Sequence, residues 1–335
     1  MQAVLLGMPI GTAFIPVVDA YLNFDMDTSE TQALTHDTSD FHSFAVHQRS
    51  WQTSRTRLGT GHAERLEVHN NTGDWWTDSR FRSQMVAADT NDGGITSNGV
   101  VGFRDVYWAW SSYLPATPDP DAEVAAGFRQ TTVPDYEHLW EIHERVNVNG
   151  STVGIDDLNT VSNIAVMARD GQLQFRIRCG VWTWNGSSWN APAFNTFTPG
   201  TNGSNDQIPI PIVKASGTNA TMVMNTWIDV IVHVRFSTGA DGLVEVWARE
   251  AGQLFSDAAN LTINGPTHKA VLGSDGVLRT SADYEAATLT TGCYMQLGLY
   301  TGSGTWTDAS NSAHVHIFDE LRRHNSLAEA KANWG

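Results

Sequence analysis

Arg82 and Gln84 lie two positions apart, as do Glu141 and His143, and Gln296 and Tyr300 lie four apart. All six fall in runs that read as β-strands. Residues i, i+2 and i+4 of a strand point to one face. Each pair therefore offers two polar groups to one side, while the flanking apolar residues go to the other. A sheet with a hydrophobic back and an Arg/His/Tyr front is built to hold something polar, and polysaccharide is the ligand class to which it points.

Other runs repeat the pattern. In 172–179, Gln174, Arg176 and Arg178 share one face, and Leu173, Phe175, Ile177 and Cys179 share the other. In 227–236, Ile228, Val230, Val232, Val234 and Phe236 form a core side, with Asp229, His233 and Arg235 opposite. Further alternation runs through 104–113, 161–168, 243–249, 293–300 and 313–318. Turn chemistry separates these runs at Asp170-Gly171, Asn185-Gly186, Asp241-Gly242 and Gly302-Ser303-Gly304. Asn-Gly and Asp-Gly between such runs are strong hairpin signals. Only 320–333 (ELRRHNSLAEAKAN) reads as helix. Many short strands with frequent turns predict an all-β fold, a two-sheet antiparallel sandwich or jelly roll with a short C-terminal helix. The Gly/Pro/Ser/Asn-rich stretch 196–220 reads as a long loop within one domain.

The chain has 335 residues and a net charge of -16, with 36 acidic against 20 basic residues. That balance argues against nucleic acid and against an anionic membrane surface as partners. No run approaches the roughly 18 apolar residues of a membrane helix. Residues 1–20 are apolar, carry no Lys or Arg, and are interrupted by Gly7, Pro9, Gly11 and Pro16. They make a poor signal peptide and are expected to form an N-terminal arm. The remainder, 21–335, is expected to be one jelly-roll domain. An apolar arm needs a surface to pack on, either its own domain or a neighbouring subunit. Cys179 and Cys293 are far apart in sequence and are expected to be two buried thiols.

Little else carries chemistry. His314-Val315-His316 puts two imidazoles on one strand face, but no third metal ligand stands beside them. Asp89-Thr90-Asn91-Asp92-Gly93-Gly94 offers oxygen ligands and makes Ca²⁺ the one cofactor candidate, without the spacing of an EF-hand. Several tryptophans, Trp108 among them, could stack on sugar rings, although large aromatics are buried on average. No Ser-His-Asp arrangement, phosphate loop or dinucleotide fingerprint stands out.

The order and spacing of these segments resemble polysaccharide lyases of the heparin-lyase-like and glucuronan-lyase-like kind. An early R-x-E-L strand of that family resembles Arg82-Ser83-Gln84-Met85. An aromatic run ending in Leu-Pro resembles Tyr107 to Pro115, and a Gln-x-His strand resembles Glu141-Ile142-His143. A W-x-D-x-x-x-H-x-x-x-S segment followed by G-x-x-x-x-W resembles Trp227 to Ser237 and Gly242 to Trp247. A Lys-x-Gly-x-Tyr strand resembles Gln296 to Tyr300, and a closing strand ending in Phe-Asp resembles His316 to Asp319. The match spans roughly 60–325 and rests on the order of the segments.

This resemblance implies a concanavalin-like β-jelly roll and cleavage of an acidic, uronate-containing polysaccharide by β-elimination. That reaction needs a cation to neutralise the uronate carboxylate, a base to remove the C5 proton and an acid to protonate the departing O4. The resemblance implies Arg82 as neutraliser, His143 as base, and Tyr300 as acid or as both acid and base. Gln84, Glu141, Arg176, Arg178, His233, Gln296 and Trp108 complete the expected substrate-binding set. Three departures stand out: Gln84 replaces the family's Glu, Glu141 its Gln, and Gln296 its Lys. An alternative reading is a non-catalytic bacteriophage tail or capsid-decoration protein. It would use the same jelly roll for glycan binding or assembly, with residues 1–20 docked on a second copy or a virion neighbour. Either reading places the protein outside a cell or on a virion surface.

Overall fold

The computed structural model describes residues 34–37, 47–59, 61–70, 80–87, 105–117, 129–133, 136–148, 164–184, 189–190, 207–267, 269–272, 276–279, 289–302, 312–324 and 326–334. The expected arm at 1–20 and the Asp89–Gly94 stretch lie outside them.

Alternating apolar and polar side chains form strands wherever a buried face is available to them. In chain order these are β1 (Leu34–Asp37), β2 (His47–Gln52), β3 (Ala63–Asn70), β4 (Arg80–Ala87), β5 (Asp105–Tyr113) and β6 (Tyr136–Val148). Next come β7 (Ile164–Arg169), β8 (Gln172–Ile177), β9 (Gly180–Trp184), β10 (Trp189–Asn190), β11 (Gln207–Pro209) and β12 (Trp227–Arg235). The last six are β13 (Leu243–Glu250), β14 (Leu261–Asn264), β15 (Lys269–Leu272), β16 (Leu278–Arg279), β17 (Leu289–Gly302) and β18 (Ser312–His324). One helix follows, α1 (Leu327–Lys331), running into a single 3-10 turn at Ala332–Trp334.

The strands form two seven-stranded sheets and a smaller four-stranded one. The first sheet has the order β1-β4-β17-β6-β7-β8-β11, and the second β14-β13-β12-β5-β18-β3-β2. Neighbours in both run antiparallel. In the small sheet, β10-β9-β15-β16, the pairing of β9 with β15 is parallel. β17 sits between β4 and β6, and β18 between β5 and β3, so sequence-distant strands are neighbours in each sheet. This is the antiparallel jelly-roll sandwich that the alternation predicts.

The core lies between the two large sheets. Leu139, Trp140, Ile142, Val166, Phe175, Leu297 and Leu299 of the first face Leu66, Trp108, Trp110, Val230, Val232 and Phe318 of the second. Trp110 stacks on Trp140 across the gap, with ring centroids 5.3 Å apart and planes 14° from parallel. Such pairs add about 0.5–1.5 kcal/mol beyond the area they bury.

The turns come out as expected in part. Asp170 and Gly171 both take positive φ, 49° and 75°, and close the two-residue hairpin between β7 and β8. That is the geometry Asp-Gly favours. Asp241-Gly242 does something else, because residues 236–242 make a longer connection between β12 and β13. Gly242 is needed there for close approach: a Cβ at that position would overlap the Gly265 carbonyl oxygen. The helix expected over 320–333 is much shorter. Residues 320–324 continue β18 and pair with β5 beyond an irregularity at Asp319–Arg322, where Glu320 takes φ 55°. Partners on β5 outweigh the local helical preference of this segment. Ser326 caps the short helix, its side chain accepting from the Glu329 backbone N–H.

The outer face of the second sheet is closed by this C-terminal segment. Ala330 and Trp334 pack on Ala109, Ile231 and Trp247. Beneath them Asp229, fully buried, accepts from Arg57 through both carboxylate oxygens at 2.7 and 2.8 Å. It also accepts from Arg249 at 2.9 Å and from the Ser111 hydroxyl at 2.8 Å. The Trp334 indole N–H donates to the same Ser111 oxygen at 2.6 Å, and the Arg249 guanidinium lies over the Phe255 ring at 4.1 Å. The bond to Asp229 holds the Arg57 guanidinium above its ordinary range, against the opposing effect of burial.

Candidate functional site

The candidate site lies on the face of the first sheet that points away from the core. Leu297 and Leu299 of β17 are buried in the core, so Gln296, Gly298 and Tyr300 take the other side. The unbroken register of β17 with β4 sets Gln296 opposite Val86, Gly298 opposite Gln84 and Tyr300 opposite Arg82. Directly opposed residues share a face. On its other flank Tyr300 is opposite His138 of β6.

That last pairing depends on irregularities in the register. His138 pairs with Met167 of β7, and Trp140 pairs with Val166, so Leu139 is one residue too many on β6. A second shift falls between Leu297 and Tyr300 on β17. A β-bulge re-aims the side chains beside it. With Leu139 and Trp140 both turned into the core, His138 and Glu141, three residues apart, come to the same side of the sheet. His138 Nδ1 lies 2.6 Å from Glu141 Oε2. The His138 ring meets the Tyr300 ring edge to face, with centroids 5.1 Å apart at 64°. Both dyad residues are only 2% exposed, whereas Tyr300 is half-buried.

Two rows of residues thus cross the sheet. One runs Arg82, Tyr300, His138, Met167, Gln174. The next runs Val86, Gln296, Glu141, Ala165, Arg176, Gln207. Neighbouring strands are about 4.8 Å apart, so either row could underlie several sugar units. Arg176 and Gln174 are buried in this layer, and the Gln174 amide donates to the Arg169 carbonyl at 3.3 Å.

The sequence-derived set divides accordingly. Arg82, Gln84, Glu141, Arg176, Gln296 and Tyr300 fall on one face of one sheet. For Arg82, Gln84, His143 and Gln296 only the backbone positions are described. His143 is opposite Tyr294, five residues along β6 from His138, so the register does not bring it to Tyr300. Arg178 follows the end of β8 and is half-buried. Two expectations are corrected. Trp108 is fully buried between the sheets, tilted against Trp140 at 6.5 Å, so no sugar can stack on it. His233 lies on the outer face of the second sheet, bonded through Nδ1 to Glu245 at 2.9 Å and stacked on Tyr107 at 4.1 Å. It is a structural residue of the opposite sheet.

His138 is the functional candidate that strand alternation missed. Strict alternation from Glu141 and His143 puts position 138 in the core. The signal against that lies in two adjacent large apolar residues, Leu139-Trp140, which cannot both face inward without a bulge.

Directly behind the site, Glu137 points into the sandwich and is fully buried. His316 Nε2 lies 2.8 Å from its Oε2, and His314 Nδ1 lies 3.8 Å from its Oε1. Burial pushes this carboxyl up, but the two imidazoles facing it outweigh burial and bring it down to about 2. The His314-x-His316 pair is therefore turned inward to a buried carboxylate. Among the described residues no three His, Cys, Asp or Glu side chains are arranged to hold a metal ion, and no helix is long and apolar enough to cross a membrane.

The sandwich is shared with a solved polysaccharide lyase. The endo-β-1,4-glucuronan lyase of the fungus Trichoderma reesei superposes with a TM-score of 0.54 at 13% identity, covering 92% of this chain and 98% of that one. The alginate lyase of Aplysia kurodai gives 0.42 at 12% identity, covering 83% and 87%. That of Klebsiella pneumoniae gives 0.42 at 10%, covering 83% and 85%. No family model matches the chain, and no curated protein resembles it in sequence. The fold so defined is a β-jelly roll shared with the glucuronan lyase.

Proposed function

We propose that this protein is a polysaccharide lyase that cleaves an acidic, uronate-containing polysaccharide by β-elimination on the outward face of its first sheet. The observation that carries this reading is one row of three residues on adjacent strands, with Tyr300 between Arg82 and His138. The glucuronan lyase that shares the fold supports the substrate class.

Each residue type fits a need of the reaction. The Arg82 guanidinium is the fork that pairs with a carboxylate bidentately. Pairing with the uronate carboxylate spreads negative charge and makes the C5 proton acidic. The His138 imidazole accepts that proton. The electron pair left at C5 forms the C4–C5 double bond as the C4–O4 bond breaks, and the Tyr300 hydroxyl gives its proton to O4. Tyrosinate and imidazolium then stand in ring contact, and one proton passed between them restores both. The base role that the Gln-x-His resemblance gives to His143 thus falls to His138, because the register puts His138 beside Tyr300.

The test is incubation with glucuronan, alginate and heparin, following the ultraviolet absorbance of an unsaturated uronate end. Turnover of one of these polymers, lost in Tyr300→Phe, is the expected result. A folded protein that releases no unsaturated product from any of them defeats the reading.

A further inference from the structure

We propose that Glu141 is a positioning residue for His138: it holds the imidazole proton on Nδ1 and so places the basic lone pair on Nε2. The inference rests on the lyase reading for its kinetic consequence, but its structural half can be tested without turnover.

A carboxylate at the position where the resembled family has Gln adds negative charge to a site meant for a polyanion. The structure gives that charge a partner, since Glu141 Oε2 is 2.6 Å from His138 Nδ1 and both groups are almost fully buried. An ionised carboxylate only accepts hydrogen bonds, so Nδ1 must donate. In a neutral imidazole the other nitrogen then carries the lone pair. A neutral Gln could be donor or acceptor and would not fix the tautomer. Leu139, the extra residue on β6, makes the contact possible by bringing two side chains of odd spacing to one face. Glu141 therefore spends its charge on the imidazole and is no substrate contact.

Among the described residues, the register places these other groups around His138. From β17 it meets Tyr300, with Arg82 of β4 one strand further on. From β7 it faces Met167, which does not titrate, and the β8 residues in the two rows are Gln174 and Arg176. Glu137, its chain neighbour, points to the opposite side and is paired with His316.

Two measurements decide the matter. In protein labelled with ¹⁵N-histidine, the signals lost in His138→Gln identify this ring. The expected tautomer of its neutral form carries hydrogen on Nδ1; hydrogen on Nε2 overturns the proposal whether or not the protein turns over substrate. In Glu141→Gln, kcat is expected to fall by about tenfold or more with KM little changed. The acid limb of the kcat profile is expected to move to lower pH, because a neutral amide no longer favours the imidazolium. A kcat and pH profile equal to wild type also overturn it. If the tautomer is as expected but no uronate polymer is cleaved, the lyase reading fails and the dyad remains.

Discussion

Two outward-facing polar layers cover this sandwich, and they use buried charge differently. On the second sheet, Asp229 is saturated: two arginines and a serine hydroxyl converge on one carboxylate, and Trp334 and Ala330 close the layer above it. On the first sheet, Glu141 meets the His138 imidazole, and that imidazole leans on a phenol that is partly open to solvent. Both layers contain strand residues that sequence alternation makes polar. What separates the clamp from the candidate site is whether the layer is closed over by packed aromatic and apolar residues or ends in a half-open phenol. The W-x-D-x-x-x-H segment, read from sequence beside the catalytic candidates, belongs to the clamp.

The sharpest way to break this comparison is Tyr300→Phe. It removes one hydroxyl from the open layer, and kcat/KM on the best uronate polymer is expected to fall about 10²–10⁴-fold with the thermal midpoint unchanged. A full-rate variant would mean that the first layer, too, is only structural. Asp229→Ala is the converse test. It leaves two half-buried arginines without the buried carboxylate they share, and denaturant titration is expected to show a loss of up to about 3–5 kcal/mol. Turnover by the fraction that remains folded should persist. Paired His138→Ala and His143→Ala variants sharpen the site itself. The first is expected to lose activity by at least about 10²-fold and the second to retain more, and the opposite order would return the base role to His143.

A pH series probes the layer between the sheets. Glu137 has its carboxyl held at about 2 against an ordinary 4.5. A depressed carboxylate contributes stability above its unfolded value and loses that contribution as pH falls toward its folded one. The stability gap between wild type and Glu137→Gln should therefore be full above about 4.5 and shrink toward pH 2, as read from urea midpoints at each pH. A gap that does not change with pH would mean the group is not ionised in the fold. The smallest effect is expected at the cap of α1. Ser326→Ala removes one bond to the Glu329 backbone and should cost about 1 kcal/mol, visible in the thermal midpoint.

Most of the fold was legible because strand alternation and Asp-Gly turns are local signals. The segments 172–179 and 227–236 show their inward faces directly, as Leu173, Phe175 and the valines of β12 confirm. The hairpin at Asp170-Gly171 needed only positive φ at two positions. Pairing across β4, β17 and β6 was not legible, since it joins segments about 140 to 220 residues apart. Nor was the extent of β18, whose last five residues favour helix locally but find partners on β5. For the candidate site, the positions of Tyr300 and Arg82 on one face were legible because β17 and β4 alternate regularly against each other. His138 was missed because its orientation is set by one unpaired residue, and Trp108 was misjudged because an aromatic on an alternating strand looks the same from either side.

The extra residue at Leu139 has a further consequence. Glu137 and His138 are joined by a single peptide bond, yet one serves the interior and the other the rim where a ligand would lie. A codon-by-codon survey of this strand should therefore show abrupt changes of phenotype: heat-sensitive growth of the fold at one letter, loss of turnover at the next. Removing Leu139 altogether would leave Glu137, His138, Trp140 and Glu141 in simple in-out-in-out alternation, with imidazole and carboxylate two positions apart on one face and one leucine fewer in the core.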